Sequence, residues 1–209
     1  MITAADALAR LREGNRRFAA GVRSIEALMR QTRLQEFVGR QEPFAVVLGC
    51  SDSRVPVELV FDHGLGDLFV IRVAGNIVAP SQIGSVEFAA EQFGTRLVVV
   101  LGHTECGAIQ ATIDALGPES PTSSRHVNSI VERIRPAIEE LLATDLARDR
   151  AALARHAVRA NVRTSANQLR HGSEVIERMI QKDGVLVVGA EYAIDTGVVT
   201  FFDGTPEDG

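Results

Sequence analysis

A chain of 209 residues that is 45% hydrophobic and 23% charged can bury a sizeable core and does not have the composition of a disordered segment. Its net charge of −5 at pH 7 argues against the basic face that nucleic-acid binding requires. No apolar run approaches the roughly 20 residues of a membrane-spanning helix, and the opening MITAADALARLREGNRRF lacks the apolar centre of a signal peptide, so a cytoplasmic location is expected.

Thr3 followed by Asp6 predicts a helix N-cap with an acidic first turn. Leu8, Leu11 and Phe18 then share an apolar face, with Gly21 as the stop. A second helix is predicted over 24–40, so that residues 1–40 read as an N-terminal helical arm. The period changes at Phe44-Ala45-Val46-Val47-Leu48, a continuous apolar run closed by Gly49, which predicts a buried parallel strand. Similar runs recur at 68–73, 97–101 and 185–188, and helical stretches lie between them at 57–61, 81–93 and 108–116.

This alternation predicts an α/β fold: a central, mostly parallel sheet of four strands with helices on both faces. Residues 117–124, GPESPTSS, read as a loop. The pattern is helical from 125 to 182, with breaks predicted at Pro136 and Gly172. Asp195-Thr196-Gly197 reads as a turn into Val198-Val199-Thr200-Phe201-Phe202, a C-terminal edge strand joined by a hairpin. The last residues, 204–209, read as a frayed tail. There is neither an internal repeat nor a linker, so 1–209 is expected to be one domain.

The two cysteines, Cys50 and Cys106, fall at matching places. Cys50 follows the strand ending at Leu48, and His103 and Cys106 follow the strand ending at Leu101. In an open parallel sheet the carboxyl ends of the strands share one edge, where ligands bind. Two thiolates and an imidazole suit zinc, and three protein donors leave the fourth position open, as in a catalytic site. Taken alone, the thiols fit buried small hydrophobes equally well, and H-x-x-C fits a capping histidine. Gly102 and Gly107 beside the motif would let backbone pass close to the site. Asp52 and Arg54 are spaced to pair within one turn. On a surface such a pair is worth little, but at this sheet edge it places a fixed carboxylate near a metal. No G-x-G-x-x-G or G-x-x-x-x-G-K-[ST] follows a strand, which argues against a nucleotide-binding protein.

The pairing of C-S-D-S-R-V with G-H-T-E-C-G-A resembles the β-carbonic anhydrase family, bacterial type, whose signature is C-x-D-x-R and H-x-x-C. So do PFAVVLGCSDSRVP, GDLFVIRVAGN, GSVEFA and GAEYAIDTG, and the likeness extends from about residue 5 to 203. The resemblance implies a carbonate dehydratase, a lyase that hydrates carbon dioxide reversibly to bicarbonate and a proton. It implies one Zn2+ per chain on Cys50, His103 and Cys106, with water or hydroxide as fourth ligand. Asp52 would orient that hydroxide for attack, and Arg54 would hold Asp52 in place and ionised. In a closed state Asp52 would itself become the fourth ligand; an open site is expected at neutral pH.

Family positions that line the substrate pocket match Gln41, Phe69, Ala74, Phe88 and Gly107. Gln41 would donate to a substrate oxygen, and Gln41 and Phe69 would face a neighbour's zinc across a subunit interface. The resemblance thus implies a homodimer or homotetramer, with the N-terminal helix packed on the neighbour, and neither a nucleic-acid nor a membrane partner. Some relatives hold bicarbonate at a second pocket of Trp, Arg and Tyr. Arg72 and Tyr192 match two of these, but Val47 stands at the Trp position in a chain without Trp, which puts that pocket in doubt. The sequence does not mark which group carries the proton to solvent; His63 is conceivable, but a lone histidine is more often incidental. Two other readings share the metal site: hydrolysis of carbonyl sulfide or carbon disulfide, and a non-catalytic zinc protein.

Overall fold

A computed structural model describes residues 2–30, 35, 38–39, 41–117 and 124–206. Residues 31–34, 36–37 and 40 of the predicted second helix, the interior of the 117–124 loop and residues 207–209 lie outside that set.

Helix α1 (Ala4–Ala19) begins where expected, with the Thr3 hydroxyl accepting the Asp6 N–H. Helix α2 (Ile25–Arg30) follows. Strand β1 (Ala45–Gly49) is buried throughout, as a central parallel strand must be. Then come α3 (Val57–Val60), β2 (Leu68–Arg72), a 3-10 turn at Ala74–Asn76, and α4 (Pro80–Phe93), which opens on proline and closes on left-handed Gly94. Strand β3 (Leu97–His103) is also wholly buried and leads into α5 (Gly107–Leu116). Helices α6 (Arg125–Leu142), α7 (Arg150–His171) and α8 (Glu174–Lys182) are capped by Ser124, Asp149 and Ser173. Strands β4 (Leu186–Tyr192) and β5 (Val199–Asp203) complete the sheet.

The strand order is β2-β1-β3-β4-β5, with β5 antiparallel to β4 and every other pairing parallel. The expected sheet of four parallel strands with a hairpin-joined edge strand is therefore present. One face packs on α1 and α3 through Leu8, Leu11, Val57, Val60, Val99 and Leu101. The other packs on α4, α7 and α8 through Val46, Val98, Val100, Val162 and Ile176.

The helical region departs from expectation at two points. Helix α6 runs through Pro136 without a break; the apolar face of Val131, Ile134, Ala137 and Ile138 is buried on both sides of the proline, and that burial outweighs one lost backbone bond. The interruption comes instead at residues 143–149, where a 3-10 turn, Asp145–Arg148, precedes the Asp149 cap. Gly172 does end α7.

The apolar face of α1 lies on this chain's own sheet. Asn15, 5% exposed, fixes it there: its amide donates to the Val60 carbonyl at 3.1 Å and the Gly197 carbonyl at 2.9 Å, and its oxygen accepts the Val199 N–H at 2.8 Å. Of the predicted tail, Gly204 has a φ of 65° and abuts Arg170 and the Val187 carbonyl.

Candidate metal centre

Strands β1 and β3 are hydrogen-bonded neighbours, with Gly49 opposite Leu101. Cys50 therefore emerges beside His103, the last residue of β3, and Cys106 caps α5 a short turn later. Their Sγ and ring nitrogen atoms lie within 4.8 Å of one another, and all three residues are buried. No other such cluster of potential ligands occurs among the described residues.

The His103 ring is held from one side. Its Nδ1 lies 2.8 Å from the Thr104 carbonyl, an acceptor only, so the ring proton sits on Nδ1. Nε2 then carries a lone pair, yet it is fully buried with no hydrogen-bond partner among the described residues. An orphaned acceptor beside two thiols fits a zinc site by the chemistry of its donors. The hydrogen bond from Cys106 holds the Cys50 thiol down to about 4, against the effect of burial and with help from His103 and the Gly75 and Asp52 amides. The same contact, with burial, pushes Cys106 up. A single thiolate is thus favoured in the bare site, and a cation is needed to hold both as thiolates. Burial lowers His103, but the neighbouring Cys50 sulfur, the Thr104 carbonyl and the Asp52 carboxylate raise it overall.

The loop after β1 builds the carboxylate. Asp52 accepts the Arg54 backbone N–H at 2.9 Å, an Asx turn. The Arg54 guanidinium closes on it as a two-pronged fork, Nε to Oδ1 at 3.0 Å and a terminal nitrogen to Oδ2 at 2.8 Å. That fork holds the Asp52 carboxyl well below the usual carboxylate range. Asp52 Oδ2 stands 3.9 Å from His103 Nε2, so the carboxylate borders the metal cluster while bound to arginine.

Several contributors were not marked by sequence pattern. The same Arg54 nitrogen also donates to the Glu105 carbonyl at 3.1 Å, tying the two ligand loops together, and Glu105 sits at φ 58° to present it. Arg72 donates to the carbonyls of Cys50 at 3.0 Å and Asp52 at 2.6 Å, bracing the loop from the end of β2. The Gly75 N–H donates to Cys50 Sγ at 3.3 Å. The G-N pair after a strand marks a turn, but nothing in the pattern aims it at a sulfur.

The remaining candidates are less tightly gathered. Ala74 opens the turn that carries Gly75, and Gly107 opens α5 next to Cys106. Gly102 is small for α7 rather than for the site: a Cβ there would lie 2.5 Å from Val162 Cγ2, whereas one on Gly107 would meet nothing within 4 Å. Phe69 lies opposite Val46, well before Cys50, and forms an aromatic trio with Phe88 and Phe93 at centroid spacings of 5.6–6.3 Å. Phe88 is 52% exposed, and Gln41 is exposed too. Of the doubtful bicarbonate pocket, Val47 and Tyr192 lie in the apolar core beneath α1, while Arg72 is committed to the loop carbonyls. His63 is buried under α1 between Phe44 and Asp67, apart from the cluster.

The family described as carbonic anhydrase matches residues 45–199. The chain belongs to that family. A curated carbonic anhydrase of Mycolicibacterium smegmatis is 38% identical over 191 residues, covering 90% of this chain and 88% of the relative. The β-carbonic anhydrase CafA of Aspergillus fumigatus superposes with a TM-score of 0.73 at 26% identity, over 97% of this chain and 92% of that one, which places the chain in the β class. A tetrameric β-carbonic anhydrase from Sordaria macrospora shares the fold, with a TM-score of 0.72 at 21% identity, over 94% and 97% of the two chains. β-Carbonic anhydrases are carbonate dehydratases, and this chain is an enzyme of that kind.

Proposed function

We propose that the enzyme hydrates carbon dioxide reversibly to bicarbonate and a proton, with one zinc ion per chain held by Cys50, His103 and Cys106. The observation that carries the reading is the Asp52–Arg54 fork beside the thiol-imidazole cluster, because a metal site kept only for stability has no use for an ionised carboxylate pinned at its edge. Bound there, zinc is a Lewis acid that brings the pKa of water from about 15.7 to near 7. Asp52 accepts one hydrogen bond from the attacking oxygen and so aims a lone pair at the carbon. Arg54 keeps Asp52 ionised and in place, and Arg72 keeps the loop carbonyls from shifting. With the carboxylate engaged by Arg54, the open arrangement is the resting one, and Asp52 is released to serve as a fourth ligand only when that fork breaks.

The substrate is small and apolar, and Phe69, Ala74, Phe88 and Gly107 are assigned to its pocket, with Gln41 donating to a substrate oxygen. Exposure of Gln41 and Phe88 supports a cleft completed by a second subunit, and the tetrameric Sordaria relative supports a homodimer or homotetramer. No described helix is long and apolar enough to cross a membrane; a cytoplasmic location is our reading.

Stopped-flow carbon dioxide hydration, with zinc measured on the same sample, tests the proposal. Expected are near-stoichiometric zinc, activity rising from pH 6.5 to 9, and loss of turnover with zinc retained in Asp52→Asn. Full zinc without hydration, but with turnover of carbonyl sulfide or carbon disulfide, would replace the substrate assignment. Unchanged hydration in Asp52→Asn would remove the role given to the carboxylate.

A further inference from the structure

Asn161 lies within α7, 1% exposed, among Val158, Val162 and Ser165. A buried amide in a helix that packs on a sheet is costly unless it is fully bonded. This one is half bonded. Its Nδ2 donates to the Gly75 carbonyl at 2.8 Å, but its Oδ1 has no partner among the described residues, and neither has the Nδ2 of nearby buried Asn76. A leucine would fill the same space without an orphaned oxygen. What the asparagine adds is the bond to Gly75.

Gly75 sits in a close-packed turn of the site. Its φ is 71°, and a Cβ there would lie 2.7 Å from Ile134 Cδ1 and 3.0 Å from Ala108 Cβ. Asn76, next in the chain, is also left-handed at φ 43°. Two successive residues in that region need an external hold. Asn161 grips the peptide plane on the carboxyl side of the Gly75 Cα, and the plane on the amino side carries the N–H that donates to Cys50 Sγ.

We propose that Asn161 is a positioning residue for the metal site, fixing the Gly75 turn so that its N–H stays on the Cys50 sulfur and sets how strongly that thiolate donates to the metal. The inference rests on Cys50 being a metal ligand, as proposed above. An N–H on a thiolate draws charge from it, and outer partners of this kind are commonly worth about 10–100-fold in metal affinity.

The test uses full-length protein loaded with 113Cd in place of zinc. In the unsubstituted chain, NMR should show coupling between bound cadmium and the Gly75 amide proton through the Cys50 sulfur. Asn161→Leu should lose or weaken that coupling, and its zinc affinity against a competing chelator should fall about 10–100-fold. Asn161→Ser, which keeps a polar group but cannot reach Gly75, should behave alike and serves if the leucine variant does not fold. Val162→Ala, which loses packing on the same helix, should keep both coupling and affinity. Coupling absent in the unsubstituted protein, or intact in the Asn161 variants, would overturn the inference while leaving the metal site standing. So would an affinity loss in Val162→Ala equal to theirs. Failure to bind cadmium at all would overturn the metal site and this inference with it.

Discussion

Arg54 does two jobs with one planar group: it clamps Asp52 and, through the Glu105 carbonyl, ties the loop after β1 to the loop after β3. Lysine supplies charge without the fork, so Arg54→Lys should retain zinc yet lose about 10²-fold in hydration rate, as reaction geometry at the 1 Å scale does; rate and zinc content on one sample check this. Acid stability offers a second check. Because the folded-state pKa of Asp52 is depressed, its contribution to stability is fully present above the unfolded value near 4 and is lost as pH falls through the folded one. In metal-free protein, the gap in urea midpoint between the native chain and Asp52→Asn should therefore hold steady from pH 8 to 5 and narrow below about pH 4. A gap that closes between pH 7 and 6 would contradict the depressed carboxyl. At Gly75 the steric argument predicts that Gly75→Ala destabilises the fold by about 1–3 kcal/mol, through both the left-handed φ and the contact with Ile134.

At the scale of elements, one buried asparagine, Asn15, ties α1 to three backbone groups elsewhere in the chain, and Arg17 adds an ion pair to Asp62. Asn15→Ala should cost about 2–4 kcal/mol in chemical denaturation, because buried N–H and carbonyl groups are left unpaired. Pro136→Ala should raise stability by about 1 kcal/mol or more, since alanine restores a backbone donor in a helix that already runs through. These elements also show what the sequence discloses. Runs such as Leu97–Leu101 are readable because a parallel strand buried on both faces admits only apolar residues. Cys50, Asp52, Arg54, His103 and Cys106 are readable because each sits within a few residues of a strand end. Asn161 and Arg72 are not: each acts on a loop carbonyl across a fold that brings distant segments together, and neither an asparagine in a helix nor an arginine at a strand end signals that use. The helix through Pro136 escapes for a related reason, since local propensity argues for a break and only tertiary burial overrides it.

For the molecule as a whole, the two apolar clusters on either face of the sheet contain none of Cys50, His103 and Cys106. Removing zinc with a chelator should leave far-UV circular dichroism unchanged and lower the melting temperature. The stability difference should grow with the logarithm of free zinc, reaching about 2.7 kcal/mol at one hundred times Kd. Collapse of secondary structure on chelation would show the metal to be part of the fold. The pairing of β1 with β3 carries a further consequence, for assembly of the nascent chain. His103 and Cys106 are close in sequence, but Cys50 joins them only when two strands separated by an intervening strand and two helices dock side by side. Such long-range parallel pairing is slow, because loop closure comes before its reward. The emerging polypeptide therefore offers a passing cation no complete chelate, and metallation waits on a maturing sheet. Thiolate-to-metal absorbance in a refolding experiment would serve as a clock for the moment the central strands lock.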